Sequence, residues 1–141
     1  MRTFWPVRLG TMGHDLRASG SVLSDFRKLL VWRKAHILAL RVDRVAAGIP
    51  GHRDASLRNQ MTRAAMSIPT NIVEGSSQES RKDFKRFLRY ASNSATELEY
   101  HLLLARDKGA INSGDYANLS ERTVEVRKML IGLMKRVEQT L

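Results

Sequence analysis

The 141 residues contain no cysteine, which excludes disulfides, thiolate metal sites and cysteine nucleophiles. Proline is scarce, at 3, and glycine little commoner, at 9. Both residues disfavour helix interiors, so their scarcity leaves room for long helices. There is no apolar run of about 18 residues or more, so no membrane-spanning helix is expected. Arg2 and Arg8 are not followed by a continuous apolar stretch of signal-peptide length, and a cytoplasmic location is the default expectation. A catalytic constellation is also missing. Ser, Thr and Lys are plentiful, but a nucleophile needs a positioned base and an orienting third group, and no such set is legible. No Gly-rich loop is placed to cradle phosphate. Glu97 and His101 stand four residues apart, yet a di-metal bundle needs Glu-x-x-His on two helices. Here Leu98 occupies the position three before His101, and no second copy exists. His14, His36 and His52 have no plausible co-ligands nearby. No enzyme activity, cofactor or metal is therefore expected.

What is present describes a helical, basic protein. The length suits one domain with a real core and no need of staples. Hydrophobic residues make up 43%, and the formal net charge is +10. The charge is uneven, with residues 23–55 alone contributing +4. A surplus of this size favours polyanionic partners and speeds encounter with them.

Residues 1–22 show neither helical nor alternating periodicity and include Pro6, Gly10, Gly13 and Gly20. They read as a flexible N-terminal extension to a domain spanning 23–141, with Phe4 and Trp5 either stray aromatics or anchors on a partner subunit. A first helix is expected to begin after Ser24 or Asp25 and to end near Ala47. Gly48, Pro50 and Gly51 would stop it. A second is expected from about Ser56 to Glu74, with Leu57, Met61, Ala64, Ile68 and Ile72 at spacings of 4, 3, 4 and 4, one face of a helix. Pro69 interrupts it, so a kink or break is expected there, with Ser67, Thr70 and Asn71 close enough to satisfy the freed backbone groups.

The third helix is the clearest. Ser80 is its expected N-cap, answered by Asp83 as a short form of the capping box. Phe84, Phe87, Leu88, Ala91, Ala95, Leu98, Leu102 and Ala105 then form an almost unbroken seam, and Gly109 ends it. Asn112, Ser113 and Gly114 make the last turn. A fourth helix would run to about Gln139, with Leu119, Thr123, Val126, Leu130, Leu133, Val137 and Leu141 on one face. Four helices with short connections predict an all-α, antiparallel up-down-up-down four-helix bundle. Leu103, Leu104, Ile131 and Met134 widen the apolar faces beyond a single seam, and self-association would hide the excess.

The segments LLVWRKA (29–35), RAAMSIPTNIVEG (63–75), SRKDFKRFLRYASNSATELEYHLLLA (80–105) and MLIGLMKRV (129–137) carry a family resemblance. They are similar to the four-helix-bundle proteins encoded in intervening sequences of bacterial large-subunit ribosomal RNA genes, also labelled S23 ribosomal protein. The resemblance covers roughly residues 25–140. Its most specific part is the ordered run Arg63, Ala64, Ala65, Ser67, Ile68, Asn71, Ile72, Glu74 and Gly75. It implies a ring-like homo-oligomer, commonly a pentamer, and kinship with basic accessory proteins of diversity-generating retroelements, thought to bind RNA and a reverse transcriptase. The family pattern has a Gly-Ser pair where this chain has Asn93 and Ser94, a departure that bears on how closely the third helix packs.

The candidate nucleic-acid surface starts the third helix. Arg81, Lys85 and Arg89 form one i, i+4 row, and Lys82 and Arg86 a second beside it. Cations there oppose the helix dipole, but together with unpaired N–H groups they make a phosphate-binding arrangement. Arg33, Lys34, Arg41 and Arg44 on the first helix are expected to extend it. The alternative is a solvated face neutralised by Glu79 and Asp83. Tyr90 and Tyr100 supply little base stacking, so weak sequence preference is expected. Arg63, Asn71 and Glu74 are read as structural polar groups around Pro69, or else as a polar pocket. Two functions are carried forward: an RNA-binding or accessory protein, and a protein-interaction scaffold whose charge is incidental.

Overall fold

A computed structural model describes residues 25–139. The expected extension over 1–22 lies outside the described residues, as does Leu141. Within them all regular structure is helical: a 3-10 turn (Phe26–Lys28), then α1 (Leu30–Ala47), α2 (Ala55–Ser76), α3 (Arg81–Asp107) and α4 (Ser113–Gln139). At about 1.5 Å per residue the two longest helices reach roughly 40 Å.

Each boundary has a local cause. Asp25 caps the 3-10 turn rather than α1 itself, accepting from the Arg27 backbone N–H at 3.0 Å. Leu29 is then extended, at φ −80° and ψ 120°, and its side chain is buried. So α1 starts at Leu30, a full turn later than expected. Gly48 ends α1 in an ordinary right-handed conformation, while Gly51, at φ +80°, makes the left-handed turn of the following loop. The Arg58 guanidinium clamps that loop by donating to the carbonyls of Ile49 (2.9 Å) and Gly51 (3.3 Å).

α2 passes through Pro69 without a break. Proline removes the bond to the Ala65 carbonyl. The Thr70 hydroxyl donates to the Met66 carbonyl and the Asn71 amide to the Ser67 carbonyl, each at 2.8 Å. These bonds reinforce the two carbonyls that follow the freed one, not the freed one itself. Pro69 and its neighbours Ala65, Ile68 and Ile72 are all buried, and that packing holds the helix together across the gap.

Ser80 caps α3: its hydroxyl accepts from the Asp83 N–H (3.0 Å) and donates to the Asp83 carboxylate (2.9 Å). The reciprocal contact thus runs through the hydroxyl rather than the Ser80 backbone. The helix closes in a Schellman arrangement around Gly109, at φ +71°, with Ala110 donating to Ala105 and Gly109 to Arg106. Asn112 repeats the N-cap device for α4, its side-chain oxygen accepting from the Asp115 N–H at 2.7 Å. Ser113 and Gly114, expected in the turn, belong to the first turn of α4.

α1 packs on α2 and α4, and α3 packs on α2 and α4, while α1 and α3 do not meet. Along α2 and α3 the touching positions run in opposite order: Gly75 meets Phe84, Ser67 meets Ser94, and Arg63 meets Glu97. The same reversal holds for α3 and α4, where Lys85 reaches Glu138 and Glu99 reaches Arg127. These two pairs are antiparallel.

One core fills the centre. The expected rows of α2 and α4 are buried within the described residues, and so is the α3 seam except Phe87, which is half-buried. In α1, Val31 and Trp32 are both inside, with Ala35, Leu38, Val42 and Ala46. The expected apolar excess divides: Met134 belongs to the core, Leu104 and Ile131 are half-buried, and Leu103 remains 40% exposed. Small residues stand where α2 meets α3. Gly75 leaves room for Phe84 and Phe87, and the Ser67 and Ser94 hydroxyls bond at 2.8 Å across the α2–α3 seam.

Candidate nucleic-acid interface

The first three turns of α3 hold the densest group of cations, and the tertiary structure sorts them. Lys82, Arg86 and Arg89 are exposed and lie on the face turned away from the core. Arg86 leans back toward Asp83 at 3.4 Å and over the Phe87 ring, 5.2 Å from its centroid. Lys85 points sideways to α4, where its ammonium bonds Glu138 at 2.8 Å. That hydrogen bond and the Lys85 charge hold the Glu138 carboxyl below the usual carboxylate range, against a smaller effect of burial and with further help from Arg89. Arg81 is half-buried. The surface available to a ligand is therefore the Lys82–Arg86–Arg89 stripe, drawn from both rows expected from sequence.

The cations of α1 do not extend this stripe within one copy. Arg33, Arg41 and Arg44 are exposed, and Lys34 is paired with Glu125 of α4. Since α1 and α3 sit at diagonal corners with α2 and α4 between them, the two cationic faces point away from each other. The expectation of one continuous surface fails for a single copy because helix order around the bundle, not charge, decides which faces adjoin.

Arg63, Asn71 and Glu74 are also separated. Arg63 bridges α2 to α3 through Glu97 (2.7 Å) and holds Gln60 (2.8 Å). Asn71 closes on Ser67, donating to its carbonyl and its hydroxyl. Glu74 is exposed, and its contribution is its backbone carbonyl, which accepts from Ser77 and Gln78 at the end of α2. No polar pocket joins the three. Sequence reasoning missed Arg127–Glu99, a partly buried pair at 2.6 Å, and Lys108–Asp54 at 2.7 Å. Both link residues far apart in the chain, and no local spacing announces them.

Glu97, four residues before His101, is engaged by Arg63. Among the described residues no group of three His, Asp or Glu side chains converges on a point. Surface depressions there lie along α4, around Glu121, Glu125 and their neighbours. No helix of the described residues is long and apolar enough to cross a membrane.

Fold and surface together define a class: an all-α protein of four helices with separate cationic faces. Residues 27–132 match the family model of the 23S rRNA-intervening sequence proteins, and the chain belongs to that family. Among solved structures it is similar to a protein of unknown function from the S23 ribosomal protein family of Bacteroides thetaiotaomicron. The two are 28% identical, with a TM-score of 0.71, over 75% of this chain and 99% of that one. No curated protein matches the sequence.

Proposed function

We propose that this protein is a non-enzymatic, cytoplasmic four-helix bundle, up-down-up-down throughout, that assembles into a ring-like homo-oligomer and binds RNA through its basic faces. The observation that carries the RNA reading is the set of exposed cations Lys82 and Arg89 on α3 and Arg33, Arg41 and Arg44 on α1. None of these has an ion-pair partner among the described residues. A net charge of +10 points the same way. The resemblance to a family encoded within ribosomal RNA genes makes RNA the polyanion of choice.

Self-association is supported by large apolar side chains left in solvent, among them Leu40, Met66 and Tyr100, each more than half exposed. A ring would also repeat the α1 and α3 faces around its circumference, bringing together across copies what one bundle holds apart. A pentamer is the expected number. Native mass measurement reads it directly, and a single-copy species at micromolar concentration would refute the assembly.

The same apolar side chains favour a second reading, a scaffold for another protein with incidental charge. Salt dependence separates the two, because phosphate contacts release counterions and lose affinity steeply as salt rises. The decisive variant carries Lys82→Glu, Arg86→Glu and Arg89→Glu together. RNA affinity at low salt should collapse in it; unchanged affinity would refute RNA binding by this face.

A further inference from the structure

Tyr90 stands at the C-terminal end of the group of α3 cations. Lys82, Arg86, Arg89, Tyr90 and Asn93 are all exposed, and their spacings of 4, 3, 1 and 3 put them on one stripe of the helix. Tyr90 is 43% exposed, yet it does not hang loose. Its ring meets that of Phe87 nearly at right angles, 87°, with centroids 5.7 Å apart. Phe87 in turn is rooted in the α2–α3 contact, since its Cβ lies 2.9 Å from where a Cβ on Gly75 would sit. The Arg86 guanidinium covers Phe87. An aromatic ring is thus held in solvent, braced from below, with positive charge along about 10 Å of helix on its N-terminal side.

We propose that this stripe takes a single-stranded nucleic acid, with an unpaired base stacked on Tyr90 and backbone phosphates on Lys82, Arg86 and Arg89. The inference rests on the polyanion reading above and narrows it. Phosphate attraction alone would not distinguish a duplex from a single strand. A duplex keeps its bases stacked within itself and offers a convex helix surface only its backbone, leaving Tyr90 idle. A single strand can turn a base out, and every base has a π-face, so stacking adds affinity without sequence preference. Arg89 and Arg86, one and four residues before the ring, are placed to hold the phosphates on one side of the stacked base, with Lys82 a turn further along the same stripe.

The test titrates the full chain with three labelled probes of one length at low salt: a uridine homopolymer, an RNA duplex and an abasic strand. Tyr90→Ala and Tyr90→Leu should weaken the homopolymer about five- to a hundredfold and leave the duplex and the abasic strand within about twofold. Tyr90→Phe should bind like the parent. The salt slope for the homopolymer should be unaltered in all three, because no cation is removed. Lys82→Glu with Arg89→Glu should weaken every probe. Homopolymer affinity unmoved by Tyr90→Ala, or all three probes weakened alike, would overturn the stacking inference while leaving RNA binding intact. If the parent protein binds none of the probes at low salt, the polyanion reading itself fails. Melting temperatures of the variants, read by circular dichroism, should match the parent because Tyr90 lies outside the core.

Discussion

Adding one methyl group at Gly75 probes a close α2–α3 contact. A Cβ there would lie 2.9 Å from the Phe87 Cβ, 3.0 Å from Phe84 Cδ2 and 3.4 Å from the Phe84 carbonyl oxygen. The first distance decides the matter. A Cβ is the fixed root of its side chain, so rotation of Phe87 cannot relieve the clash and α2 must move off α3 by several tenths of an ångström. Phe84 is fully buried, and such a shift loosens its packing. Overpacking of this kind costs about 1–3 kcal/mol. Alanine recovers at most about 1 kcal/mol of helix propensity, and less here because Gly75 is one residue from the end of α2. The net expectation for Gly75→Ala is a loss of about 1–2 kcal/mol, or a fall in Tm of roughly 3–10 °C. Gly132→Ala is the control. It sits inside α4 and a Cβ there meets nothing within 4 Å, so the same change should stabilise the bundle by about 0.5–1 kcal/mol. Thermal and urea unfolding followed by far-UV circular dichroism measure both. If Gly75→Ala melts at or above the parent temperature, the close-approach reasoning is wrong.

Three further expectations follow from the geometry. The Asp54 carboxyl is held below the usual carboxylate range by a hydrogen bond from Lys108, with the charges of Lys108, Arg53 and Arg58 helping and burial opposing. A carboxyl whose folded-state pKa is lowered adds stability above its unfolded value of about 4 and loses it as pH falls toward the folded value. Asp54→Asn should therefore flatten the urea midpoint below about pH 4, and an unaltered acid limb would count against the pair. Ser67→Ala strands the half-buried Ser94 hydroxyl and should cost about 1 kcal/mol in urea unfolding, part of it regained in the Ser67→Ala, Ser94→Ala double variant. Phe84→Ala empties the α2–α3 contact at the end next to their connecting turn and should cost about 3–5 kcal/mol, enough to show as a large drop in the urea midpoint.

The number of helices, their core rows and most of their ends were legible in the sequence, because periodicity and capping are local. Ser80 with Asp83, Gly109, and the α2 row from Leu57 to Ile72 each act within a turn or two of their own position. Local signals failed where a neighbour decided. Pro69 was expected to kink or break α2; there is no break, and the residues packed around it, Ala65, Ile68 and Ile72, are all buried. Met134 was read as surplus and is core. Periodicity placed cations on helix faces; only tertiary packing decided that Lys85 spends its charge on Glu138, that Tyr90 is braced by Phe87, and that α1 and α3 stand at opposite corners. The physical reason is range. Hydrogen-bonded helical order is set over three or four residues, whereas the meeting of charged and aromatic side chains depends on the order in which whole helices surround a shared core.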